Sequence, residues 1–179
     1  MFTPLLFLAS LISLPQEGAS DFTVYDTVDT WSIVRRVDGC FMGATGQGPS
    51  PTDVMVFYDV THPENPVMLL LSNPRWNYRE ETVAGYRIHF VGADRGTSGL
   101  TGLTFSSDGA GVVMIGFNSG AVPLLLTDFA RSTAIRLYLN DTLLAEADIR
   151  GGQAALRRVM ACARTFQGRQ VPRYPFEGN

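Results

Sequence analysis

The sequence predicts a mainly β protein: an antiparallel β-sandwich or flattened barrel with one internal short helix and one C-terminal helix. Three observations carry that prediction. Apolar and polar residues alternate along runs such as 86–91 and 133–139, as a half-buried strand requires. Turn pairs such as Asp38-Gly39 and Asn140-Asp141 divide neighbouring runs at hairpin spacing. Helical period replaces alternation in only two places, 119–131 and 153–164.

Taken in order, residues 21–30 mix polar side chains with Phe22, Val24 and Tyr25 and read as an extended lead-in or an edge strand. Residues 31–37 form a strand, Asp38-Gly39 a tight turn, and 40–44 the partner strand. Residues 45–52 are loop. Runs 53–60 and 66–71 flank His62-Pro63-Glu64-Asn65-Pro66, which can only turn because its prolines fix the backbone and remove donors. Both runs suit the middle of a sheet, and the second is apolar on both faces. In 86–91, Tyr86, Ile88 and Phe90 share one side, Arg87 and His89 the other. The Gly, Ser and Thr of 92–102 read as loop. Residues 103–105 and 111–117 then make a hairpin across Ser106-Ser107-Asp108-Gly109.

Residues 119–131 are predicted helical, with Ser119 as cap, Pro123 in the first turn and Arg131 at the favourable C-terminal end. Strands over 133–139 and 142–150 follow, joined by Asn140-Asp141, and Gly151-Gly152 ends the second. The last helix puts Leu156, Val159, Met160 and Ala163 on one face, with Cys162 near its edge and able to reach back to Cys40. Beyond it, residues 168–179 cannot continue a helix. They are an extended tail, either laid on the domain or free.

Residues 1–20 have the character of a signal peptide. An apolar run over 5–14 is about half the length a spanning helix needs, Pro15 breaks it, and Gly18-Ala19-Ser20 supplies small residues for cleavage. The run lacks Arg or Lys before it, and the alternative is a buried or anchoring N-terminal helix. Residues 21–167 then form a single domain, long enough to bury a core without metals or a dense disulfide net. Of 179 residues, 45% are hydrophobic and 17% charged, a balance that describes a folded protein. The net charge of −3 gives no reason to expect nucleic acid or an anionic membrane as partner. With two cysteines in an exported chain, one Cys40–Cys162 disulfide is expected, two buried free thiols being the alternative. Cysteines this far apart, with only two histidines, make a poor zinc site, and no metal or cofactor is expected.

The Trp31-Ser32-Ile33-Val34 opening, the short hop to Cys40-Phe41-Met42, Leu124-Leu125-Leu126, Arg136-Leu137-Tyr138-Leu139 and Gly152-Gln153-Ala154-Ala155-Leu156 resemble exported bacterial proteins of the invasion-associated locus B kind. The likeness covers the two ends of the chain and implies an exported β-sandwich. The family's cysteine after the opening strand is replaced here by Arg35 or Arg36, its central cysteine pair is missing, and Cys162 is additional.

No Gly-x-Ser-x-Gly elbow, His-Glu-x-x-His helix or P-loop occurs. His62 reads as an exposed turn residue and His89 as part of a solvated sheet face; either would need a carboxylate and a pocket to do acid–base work. The cluster with recognition character is Arg75, Trp76, Tyr78 and Arg79, residue types that dominate binding hot spots, although Trp76 can equally cap the core with the arginines as rim. These features point to a non-enzymatic protein, periplasmic or secreted, that contacts a protein or envelope partner and has no integral span after signal cleavage. Two alternatives follow: a binder of a small apolar ligand lined by residues such as Phe57, Leu69, Phe90 and Ile115, and a hydrolase or isomerase built on His89.

Overall fold

The computed structural model describes residues 22–46, 51–93 and 96–166. The predicted signal peptide 1–20 and the tail 168–179 lie outside these residues. The chain runs β1 (Thr23–Val28), β2 (Trp31–Arg35), β3 (Gly39–Ala44), β4 (Asp53–Asp59), β5 (Val67–Asn73), β6 (Thr82–Val91), β7 (Gly96–Ser107) and β8 (Ala110–Phe117). It continues with α1 (Val122–Arg131), β9 (Ala134–Leu139), β10 (Thr142–Asp148) and α2 (Gly152–Ala163). All ten strands join one antiparallel sheet in the order β1-β2-β3-β4-β5-β8-β7-β6-β9-β10. The fold is therefore mainly β, flattened, with one internal helix and one after the last strand, as the sequence predicts. β1 and β10 remain its two ends, so the sheet does not close into a barrel.

The sheet nevertheless curls. Trp31, on the second strand, donates its indole N–H to the carbonyl of Arg150, just past the last strand, at 2.9 Å. α2 leaves β10 and packs against β1 to β4 at the opposite side of the sheet. Its apolar face, with Leu156, Val159, Met160 and Ala163, is buried as the period predicts. Cys162 is also fully buried, and it is disulfide-bonded to Cys40 on β3 with the two Cα atoms 6.2 Å apart. The helix is thus held to β3 covalently as well as by packing. One core lies within the curl, shared by inward residues of β2 to β6 and β8 to β10 and both helices. Phe129 of α1 sits between Trp31 and Phe90, with ring centroids at 5.7 and 6.4 Å in edge-to-face contact.

Three readings of the sequence need correction. Residues 96–102 are the first half of the long strand β7, not loop. Its threonines are good strand formers, and the glycine that suggested a loop, Gly99, has φ +73° where the pairing with β6 slips between Tyr86 and Ile88. That bulge needs a residue tolerant of positive φ. Secondly, Ser119 does not cap α1: the side-chain oxygen of Asn118 accepts from the Ala121 N–H at 3.0 Å. Pro123 does occupy the first turn and Arg131 the last. Thirdly, Leu69, Phe90 and Ile115 share the inner core but Phe57 belongs to a separate cluster on the other face, so the four do not line one chamber.

Among the described residues no helix is long and apolar enough to cross a membrane. None of them groups three His, Cys, Asp or Glu side chains as a metal site would.

Candidate functional site

The Arg75–Arg79 cluster lies in the connection from β5 to β6. Because β8 and β7 are inserted between those strands, this connection must cross the ends of both. It is fastened at its start, where the buried Asn73 side chain donates to the Thr52 hydroxyl at 2.9 Å and accepts from the Arg75 N–H at 2.8 Å. Midway, Ser106 donates to the Tyr78 carbonyl. At its end Thr104 donates to the Thr82 carbonyl at 3.0 Å. Trp76 and Tyr78 are half-buried against the core, their rings 6.1 Å apart. A Cβ on Gly111 would stand 2.4 Å from the Trp76 Cβ, so only glycine there lets the crossing lie flat. Burial pushes the Tyr78 phenol up to about 12. The two rings therefore plug one end of the curl. Arg75 and Arg79 stand exposed at its rim and pair with no carboxylate among the described residues.

A second surface was not assembled by the sequence reading. Strand alternation sends Met55, Leu70, Met114 and Leu103 to the outer face, opposite the core. Register places them side by side: Met55 opposite Leu70, Leu70 opposite Met114, Met114 opposite Leu103, and Leu103 opposite Val83. The first four are half-buried and Val83 is 66% exposed. Phe57 opposite Met68 extends the band on one side, with Val34 and Phe41 packed beside them. Val112 opposite Phe105 extends it on the other. The signal available in sequence was that residues 66–71 are apolar on both faces; which strands would join them was not legible.

Next to this band the outer face changes character. His89 lies opposite Arg136, and Arg136 opposite Glu146, to which it donates at 2.7 Å. Arg87 stacks its guanidinium 4.0 Å from the Tyr138 ring centroid and reaches Asp141 at 3.2 Å. His89 thus faces a cation across the strands and makes no hydrogen bond to a carboxylate or nucleophile among the described residues. His62 is 65% exposed by side chain and bonds the carboxylate of Asp59 at 2.8 Å. Thr61 donates its amide and hydroxyl to the same carboxylate. Burial pushes Asp59 up, but the bonds from Thr61 and His62 outweigh it and hold the carboxyl below its ordinary value. The same hydrogen bond raises His62. This arrangement, with the Thr61 hydroxyl also 3.0 Å from His62 Nδ1, ties down the proline turn after β4.

No protein family, curated protein or solved structure matches the chain.

Proposed function

We propose that this is an exported, non-enzymatic protein, periplasmic or secreted, that works by contact with another protein or an envelope component. The observation that carries the reading is the outer apolar band. Met55, Met68, Leu70, Met114 and Leu103 are half-buried and Val83 is 66% exposed, while Val34, Phe41, Phe57 and Val112 of the same band are already buried. The largest contiguous apolar patch on a protein surface is often its functional one. Methionines at three of its positions give a surface that can adapt to a partner's shape. The polar ladders of β6, β9 and β10 would serve as the rim of such an interface, and Arg75 and Arg79 as a further polar contact.

Export is supported by the Cys40–Cys162 disulfide, because such bridges persist in oxidising compartments. The apolar leader and the likeness to invasion-associated locus B proteins point the same way. Intact mass before and after reduction, with thiol alkylation, tests export: loss of the leader and labelling only after reduction are expected. The contact is tested by retention of the full chain on envelope extract. Leu70→Glu and Met114→Glu are expected to abolish retention while circular dichroism stays unchanged. Retention equal to wild type would remove the band from the contact surface.

A further inference from the structure

The relief of the outer face restricts what can lie on it. We infer that the face is self-complementary, and that the band's partner is a second copy of this chain, packed face to face across a two-fold axis. The inference rests on the reading of the band as a contact surface and names that surface's occupant.

Two neighbouring rows cross the strands on this face. One is a ridge, Leu70–Met114–Leu103–Val83, each residue opposite the next. The other begins at Met68, opposite Gly116, and ends at Gly85, opposite Thr101. Gly102 pairs with Ile115, so one step further along β7 and β8 sets Thr101 beside Gly116. Gly85, Thr101 and Gly116 are all exposed. A Cβ added at Gly85 or Gly116 would meet no atom within 4 Å. Beside the ridge, then, runs a trough floored largely by bare backbone. Neither glycine has positive φ, so no turn or bulge at those positions accounts for it. Glycine inside a strand gives up side-chain packing and often marks a place where another backbone approaches closely.

Ridge and trough alternate along the same strands: Val83 then Gly85 on β6, Met114 then Gly116 on β8. A two-fold axis in the interface, parallel to the rows and midway between them, sets the ridge of each copy into the trough of the other. β8 then crosses β8, with Met114 of each copy over Gly116 of the other, as an isologous interface requires. Val83, the most exposed residue of the ridge, meets Gly85 likewise. Sheets packed at about 30° keep such contacts close to the axis. Charge follows the same symmetry. Glu81, just before β6, and Arg87 lie at equal separations on either side of the axis, so each carboxylate faces the other copy's guanidinium. On β4 the same operation opposes Asp53 and Asp59, so the contact ends at β5. An unrelated partner gives no reason for ridge, trough and opposite charges to be related by one axis.

Sedimentation velocity of the purified full chain over a dilution series tests this. A reversible dimer is expected, with a Kd on the order of 10 µM because the contact is small. Gly116→Val is the decisive variant. Its side chain enters open space on the single sheet but fills the trough that Met114 needs. It should weaken pairing about tenfold or more, with circular dichroism unchanged and the thermal midpoint equal or higher. Gly85→Val should act in the same direction, less strongly. A chain that stays monomeric at every concentration overturns the inference, and so does a dimer that both variants leave intact. Retention on envelope extract is read separately. If the wild type is monomeric and Leu70→Glu still abolishes its retention, the band belongs to a different partner and only this inference fails. If Leu70→Glu changes neither pairing nor retention, the contact reading falls with it.

Discussion

The outer face of the sheet is two surfaces on one backbone. Across β2 to β5, β8 and β7 its apolar residues include Val34, Phe41, Phe57, Met68, Met55, Leu70, Met114 and Leu103, with Ser32, Asp53, Asp59 and Ser72 among them; across β6, β9 and β10 the face carries Arg87, His89, Arg136, Tyr138 and Glu146. Pairing is antiparallel and continuous through both, so the ladder of backbone hydrogen bonds does not distinguish them. Two other things do. The β2 to β4 part of the apolar half is backed by α2 and the Cys40–Cys162 bond, and its Val34, Phe41 and Phe57 bury one another with Met55 and Met68. The charged half satisfies itself by cross-strand ion pairs and needs nothing laid over it. The lesson is that pairing sets where strands lie, while the demand for a cover is set by the side chains on each half.

The largest effect expected from disturbing this contrast comes from the disulfide. It spans a sequence separation of 122, for which chain entropy gives about 5 kcal/mol at most. It fastens α2 to β3, so Cys40→Ala with Cys162→Ala should open the strands under α2 first. Hydrogen exchange is expected to accelerate in β2 to β4 and α2 before β6 and β9. Uniform acceleration over the sheet would show that the two halves open as one.

Next in size is the small outer cluster. Phe41 is 2% exposed and packs with Val34 and Phe57. Phe41→Ala should cost about 3 kcal/mol in denaturant unfolding. Arg136→Ala, in the other half, should leave the midpoint within error of wild type, because its ion pair with Glu146 lies in solvent. Comparable losses from both substitutions would erase the distinction. Smaller again is Leu70→Glu. At this half-buried position in the band it should cost about 1 kcal/mol or less, yet raise solubility and lower binding of a hydrophobic dye. An unchanged dye signal would mean that the band is not what the solvent meets.

Much of this contrast could be read in sequence only half at a time. Alternation in 86–91 and 133–139 assigned Arg87, His89 and Arg136 to a polar face correctly, because each strand buries one face. The double-faced apolar character of 66–71 was equally visible. What alternation cannot supply is strand order. β8 and β7 enter between β5 and β6, so Met114 and Leu103 become neighbours of Leu70 through pairings distant in sequence. The Trp76 plug has the same origin: the long crossing exists because two strands intervene. β7 was misread because glycine at a bulge and glycine in a loop look alike until the register is known.

The smallest effect separates the two histidines, one at the border of each half. His62 bonds Asp59, while His89 faces Arg136. The raised His62 contributes stability that is complete below its unfolded value of 6.5 and is lost as pH rises through the folded value. The lowered Asp59 contributes above its unfolded value of 3.8, and that is lost as pH falls through its folded value. The pair is therefore at full strength between those two unfolded values. Wild type should exceed His62→Ala in denaturant midpoint at about pH 5, with the gap narrowing at about pH 9 and about pH 3. Asp59→Asn should bring the His62 titration, followed by NMR, back toward its ordinary position. A gap of constant size at all three pH values would mean that His62 acts through turn packing alone and not through its charge.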